Sequence, residues 1–105
     1  MIVIIKKKGD KLADKYLKQV IGLTEETVEE YIDEDVVEIE YRVDHRGHCQ
    51  SALLVLSQSS PYAELDTKKN EIRLYWPNVI IMRYVPEEVS NMLFDFVAMD
   101  FLPRD

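Results

Sequence analysis

The spacing of apolar residues changes repeatedly along this chain of 105 residues, and each change marks a predicted element. Met1–Ile5 is a continuous run rich in β-branched residues, the pattern of a strand buried on both faces. Gly9-Asp10 then breaks the run, and Asp10 suits the N-cap of a helix over Lys11–Ile21. There Leu12, Tyr16 and Val20 share one side, with Leu17 and Ile21 next to them, and Gly22 supplies a stop. Thr24 is the next expected N-cap, with Glu25 and Glu26 in a first turn whose amide dipoles favour anions. Leu23 and Val28 stand at the positions of a hydrophobic staple. Glu29, Glu30, Asp33 and Glu34 fall mainly away from the side of Val28, Tyr31 and Ile32.

From Val36 the period drops from about 3.6 to 2. Val37, Ile39, Tyr41 and Val43 alternate with Glu38, Glu40, Arg42 and Asp44, as in a strand with one packed and one wet face. His45-Arg46-Gly47-His48 predicts a hairpin turn, Ala52–Leu56 a nearly all-apolar central strand, and Ser57–Pro61 a polar loop. Tyr62–Leu65 is a third strand, followed by the loop Asp66–Asn70, where Asn70 takes a left-handed conformation at little cost. Glu71–Trp76 and Val79–Tyr84 flank Pro77-Asn78, which fits the centre of a tight turn. Pro86 stands at a first helical position, before Glu87, Glu88 and a broad apolar stripe of Val89, Met92, Leu93, Phe96, Val97 and Met99 that ends ahead of Pro103.

These elements make one two-layer α+β domain over residues 1–105: β-α-α, an antiparallel meander of about five strands, and a C-terminal helix. Within it, Leu65–Leu93 runs as the loop DTKKN, the strands EIRLYW and VIIMRY, and VPEEV opening a helix. This resembles the strand–strand–VP–helix pattern of the small KTSC domain over less than a third of the chain, and no functional residue is carried over from it.

Composition adds an ordered core, because 47% of residues are hydrophobic and 31% charged. Cys49 is the single cysteine and has no partner for an internal disulfide. The apolar opening run precedes its lysines, the reverse of a secretory signal, so a cytoplasmic protein without a membrane segment is expected. The net charge of -7 is uneven: residues 1–21 carry +4, residues 22–45 carry -9 and the remainder -2. That layout lacks the basic stripe a nucleic-acid binder needs.

Asp44–Cys49 gathers both histidines and the cysteine. With Arg46-Gly47 as a two-residue turn, His45 and His48 would face each other with Cβ atoms ~5 Å apart, while Asp44 and Cys49 pair on the other side. Two imidazoles make two corners of a metal site, but the ligand spacings of zinc motifs are missing and no cofactor is implied. Glu38, Glu40 and Asp44 share one strand face, where residues two apart stand ~7 Å apart, without an apolar pocket to poise any of them as an acid. No G-x-S-x-G, P-loop, GxGxxG or HExxH pattern occurs, so the chain reads as non-enzymatic.

Residues 24–40 hold nine acids in seventeen positions. Glu29, Glu30, Asp33, Glu34, Glu38 and Glu40 are therefore expected to form an acidic face for a basic protein partner, as an inhibitor or nucleic-acid mimic would. Small size, acidity and the lack of catalytic signatures are shared with small inhibitory proteins of viral or mobile-element origin, an analogy of composition. In the last hairpin, Ile72, Leu74, Trp76, Val79 and Ile81 share one face, and Tyr75, Ile80, Met82 and Tyr84 the other, with Glu71 and Arg73. One face meets helices. The second is expected under a further helix or against a partner, with Tyr75, Met82 and Tyr84 as contacts, a homodimer included.

Overall fold

Among residues 7–101, which the computed structural model describes, the elements run α1 (Lys7–Ile21), α2 (Val28–Asp35), β1 (Glu38–Val43), β2 (Cys49–Ser57), β3 (Tyr62–Asp66), β4 (Glu71–Trp76), β5 (Val79–Tyr84) and α3 (Glu87–Ala98). The predicted strand Met1–Ile5 lies outside the described residues. The five strands form one antiparallel sheet in the order β1-β2-β3-β4-β5, a meander followed by a helix, as the periodicity predicts. Trp76 pairs with Val79 across Pro77-Asn78, and Asn70 takes φ 56 at the β3–β4 turn.

The core explains why these strands stay in register. Leu54, Leu65, Ile72 and Leu74 are fully buried beside Val79 and Ile81, and all lie on one face of the sheet. Against that face pack Ala13 and Val20 of α1, Val28, Tyr31 and Ile32 of α2, and Leu93 and Val97 of α3. Each large aliphatic side chain so buried stabilises the fold by about 1.5–3 kcal/mol, and a slip of one residue would turn the whole set to water. The helices thus form a single layer, and no described helix covers the opposite face.

Local differences from the sequence reading have physical causes. Gly9 lies inside α1 and does not interrupt it: a Cβ there would come 2.6 Å from Ile81 Cδ1 and 3.1 Å from Trp76, so glycine is what lets the helix touch the sheet. Asp10 consequently sits in the first turn, not at an N-cap, and accepts a hydrogen bond from Arg83 at 2.7 Å. Asp14 accepts the other arm of the same guanidinium at 2.9 Å. The second helix starts at Val28, because Thr24 and Thr27 close a turn of their own, with Thr24 N donating to Thr27 Oγ1 at 2.9 Å. Pro86 is the residue before α3, not its first, and its carbonyl accepts from Val89 N and Ser90 N. Val37 and Val43, expected on the packed side, are 57% and 44% exposed, one just before and one at the end of the edge strand β1.

Tyr31 is 4% exposed, and among the described residues its buried hydroxyl has no hydrogen-bond partner. Burial, followed by the nearby Asp35 charge, pushes its ionisation well above the usual phenol value. An unpaired buried hydroxyl costs about 1–3 kcal/mol, so Tyr31→Phe is expected to leave stability unchanged or raise it by about 1 kcal/mol. Urea unfolding reads the change. Because the folded state disfavours the phenolate, stability should also decline above pH 10, and less so in the variant.

Candidate docking surface

Alternation places a second set of side chains on the face of the sheet that no described helix covers. They are Glu38, Glu40 and Arg42 of β1, Ser51, Leu53 and Val55 of β2, Tyr62, Glu64 and Asp66 of β3, Glu71, Arg73 and Tyr75 of β4, and Ile80, Met82 and Tyr84 of β5. The second face of the last hairpin is continued across the sheet by charged neighbours. In the middle of the sheet this face is an ion network, flanked by Leu53 and the buried Val55 on β2 and by Ile80, Met82 and Tyr84 on β5.

Asp66 is the hub. Its side chain is fully buried and receives Arg42 in a two-pronged contact at 3.0 and 3.1 Å, Arg73 at 3.0 Å, and the amides of Lys68 and Lys69 at 2.9 and 3.2 Å. Burial alone would push this carboxyl up, but Arg42 and the two amides outweigh it and hold the group below the usual carboxylate value. Arg73 also meets Glu64 at 3.2 Å and Glu71 at 3.4 Å, so one guanidinium serves three carboxylates. Glu64 accepts a further bond from the Tyr75 hydroxyl at 2.9 Å. Burial and that bond raise the Tyr75 phenol to about 12. Charge-assisted bonds of this kind are roughly twice as strong as neutral ones and fix their members in place.

Around this hub the face carries five carboxylates against two guanidinium groups, leaving it acidic. Glu38 and Glu40 are exposed on β1, with Gln58 donating to Glu38 at 3.0 Å. The Tyr62 phenol is pushed up by burial and by the charges of Glu64, Glu40 and Glu38, which registers the same negative field. Tyr62 and Tyr75 tilt against each other with ring centroids 5.9 Å apart. Beyond them Met82 is 39% and Tyr84 72% exposed.

The predicted acidic residues fall into two groups. Glu29, Glu30, Asp33 and Glu34 are exposed on α2, whose buried side packs in the helical layer, whereas Glu38 and Glu40 point from the opposite face of the sheet. The sheet separates them. Glu38 and Glu40 instead share a face with Tyr75, Met82 and Tyr84, a grouping the sequence reading kept apart. The sequence pattern assigns no binding role to Glu64, Asp66, Arg42 or Arg73. Their signal is the alternation of charge in EIEYRV, YAELD and EIRLYW, opposite the apolar positions.

The histidine turn differs from the two-residue form. Asp44 N donates to His48 O at 2.9 Å and Gly47 N to Asp44 O at 3.0 Å, while a register shift between Arg42 and Val43 pairs Val43 with Cys49. Gly47, at φ 87, takes the conformation that closes this longer turn. Asp44 therefore lies opposite His48, and the facing pair of imidazoles does not form. Asp44 Oδ1 accepts from the amides of Arg46 and His48, each at 2.9 Å, and these bonds, that of His48 foremost, hold its carboxyl below the usual range. Burial pushes the Cys49 thiol up, away from a reactive thiolate. Among the described residues no group of three or more His, Cys, Asp and Glu is placed to hold a metal ion.

Among the described residues, fold and face together define a small α+β domain with helices on one side of the sheet and, on the other, a surface of carboxylates, arginines and tyrosines that no described helix covers. Comparison of the chain with known protein families, with characterised proteins and with solved structures finds no match. Among the described residues no helix is long and apolar enough to cross a membrane.

Proposed function

We propose that this chain is a non-enzymatic, cytoplasmic interaction module that receives an arginine-rich segment of a basic protein on the open face of its sheet. The observation that carries the reading is the joint placement of exposed Glu38 and Glu40 and the tyrosines 62, 75 and 84 on one face that no described helix covers, around Glu64 and Glu71, which are buried and tied to Arg73. A guanidinium group pairs with carboxylates in a planar fork and stacks on tyrosine rings, which an ammonium does less well. Arg42 and Arg73 already pair with carboxylates on this face, Arg42 in a two-pronged contact. The exposed acids of α2 take a different part. With the net charge of -7 they extend the field that draws a basic partner in, without touching it. A second copy of the chain suits the face less well than a basic partner, since it would bring the same excess of carboxylates against itself.

The reading is tested with a flexible arginine-rich peptide and its lysine counterpart of equal charge. The arginine form should bind more tightly and lose affinity steeply as salt rises. Glu38→Lys with Glu40→Lys should slow association by about tenfold or more. Tyr84→Ala should speed dissociation while leaving the fold within about 0.5 kcal/mol of the parent, because the ring is already exposed. Indifference to salt and to the charge reversals would remove the proposal. Equal affinity for the lysine peptide would remove its guanidinium preference.

A further inference from the structure

The apolar stripe of the last helix is broader than the core can use. Ser90, Leu93 and Val97 are the residues α3 buries fully. Met92, Phe96 and Met99, one step round the helix, line an open trough of about 680 Å³ that reaches Val28 at the start of α2, Phe96 also packing against the core. Met99 is 71% exposed although α3 ends one residue before it, so the sequence stripe that included it divides between core and groove. The charged residues lining the trough are Glu25 from the α2 side and Glu88 and Asp95 from α3, all acidic. This groove belongs to the helical layer and is remote from the open sheet face described above.

We infer that this groove is a second docking site, and that its occupant is a basic amphipathic helix of a partner protein. Three features select that occupant. Methionine side chains are unbranched and polarisable, so a methionine-lined trough reshapes itself around varied apolar residues. An amphipathic helix lays side chains spaced i, i+3 or i+4 and i+7 into such a trough, and lysine or arginine on its flanks would then face Glu25, Glu88 and Asp95. A small apolar molecule fits less well, since tight ligand sites bury about 70–90% of their ligand and a wall as exposed as Met99 does not enclose one. The like charge of the rim also works against a second copy of this acidic chain.

The experiment uses a synthetic lysine-rich amphipathic helix with one tryptophan on its apolar side, and a scrambled peptide of identical composition that has no apolar side. The helical peptide should bind saturably with a blue shift of tryptophan emission, and the scrambled one at least tenfold more weakly. Met99→Lys, at a site exposed enough to leave folding intact, should weaken binding about tenfold, as should Glu88→Lys combined with Asp95→Lys. Tyr84→Ala and the Glu38 and Glu40 reversals should leave this affinity unchanged, which separates failure here from failure at the sheet face. No saturable binding, equal binding of the scrambled peptide, or indifference to Met99→Lys with the double charge reversal would each overturn the inference.

Discussion

Asp66→Ala is expected to destabilise the protein by about 3 kcal/mol or more, near the lower end of the 3–5 kcal/mol that removing one partner of a buried ion pair costs. The side chain is fully buried, and its loss strands Arg73, which is 17% exposed. Arg42 is 43% exposed and recovers part of its solvation, which keeps the cost from the upper end. The amides of Lys68 and Lys69 would lose their acceptor as well, loosening the β3–β4 turn. Since small domains are stable by only about 5–15 kcal/mol, urea unfolding should register a large fall in midpoint. The same group sets a pH dependence. Its folded-state ionisation lies below the ordinary carboxylate value of 3.8, so its contribution is present above that pH and is lost as pH falls below it. Asp66→Asn should therefore unfold at lower urea than the parent at neutral pH and show a shallower loss of stability in acid. A variant that kept the full acid dependence would show that another carboxylate carries it.

Leu93→Ala should cost about 2–5 kcal/mol, the range for emptying a fully buried leucine position. Leu93 holds α3 to the sheet between two hydrogen bonds that tie the same helix down: Ser90 Oγ donates to Thr67 O at 3.0 Å, and Tyr41 Oη to Val97 O at 2.8 Å. Those ties prevent α3 from sinking into the space left behind, so the cavity should persist and the cost should fall in the upper half of the range. Thermal and urea unfolding measure it. Hydrogen exchange should speed first in α3 if the helix detaches locally, and throughout if the fold opens as one unit.

How far the sequence disclosed this structure depends on the range of the interaction concerned. The β4–β5 hairpin was legible because Pro77-Asn78 and the parity of Ile72, Leu74, Trp76, Val79 and Ile81 are local signals that agree. Asp66 was hidden inside a run whose composition reads as loop, and its main partner Arg42 lies 24 positions away on β1. No local spacing reports such a pairing. Gly9 looked like punctuation, and only its approach to Ile81 and Trp76 shows it to be a packing contact. The histidine pair depended on a turn length that a shift between Arg42 and Val43 changed, which was enough to take His45 out of register with His48. For the docking surface, Glu38, Glu40, Tyr75, Met82 and Tyr84 were recognised as separate groups. Strand order then brought them onto one face and set the α2 acids on the other side of the sheet.

That partition can be examined directly by mapping amide chemical shifts while an arginine-rich peptide is added at low salt. The proposed mode of binding requires saturable shifts along β1 and at Tyr62, Tyr75 and Tyr84, with α2 changing only slightly despite its exposed acids. Shifts concentrated on Glu29, Glu30, Asp33 and Glu34, or spread evenly over every acidic residue, would contradict it and leave the open face of the sheet without a role in recognition.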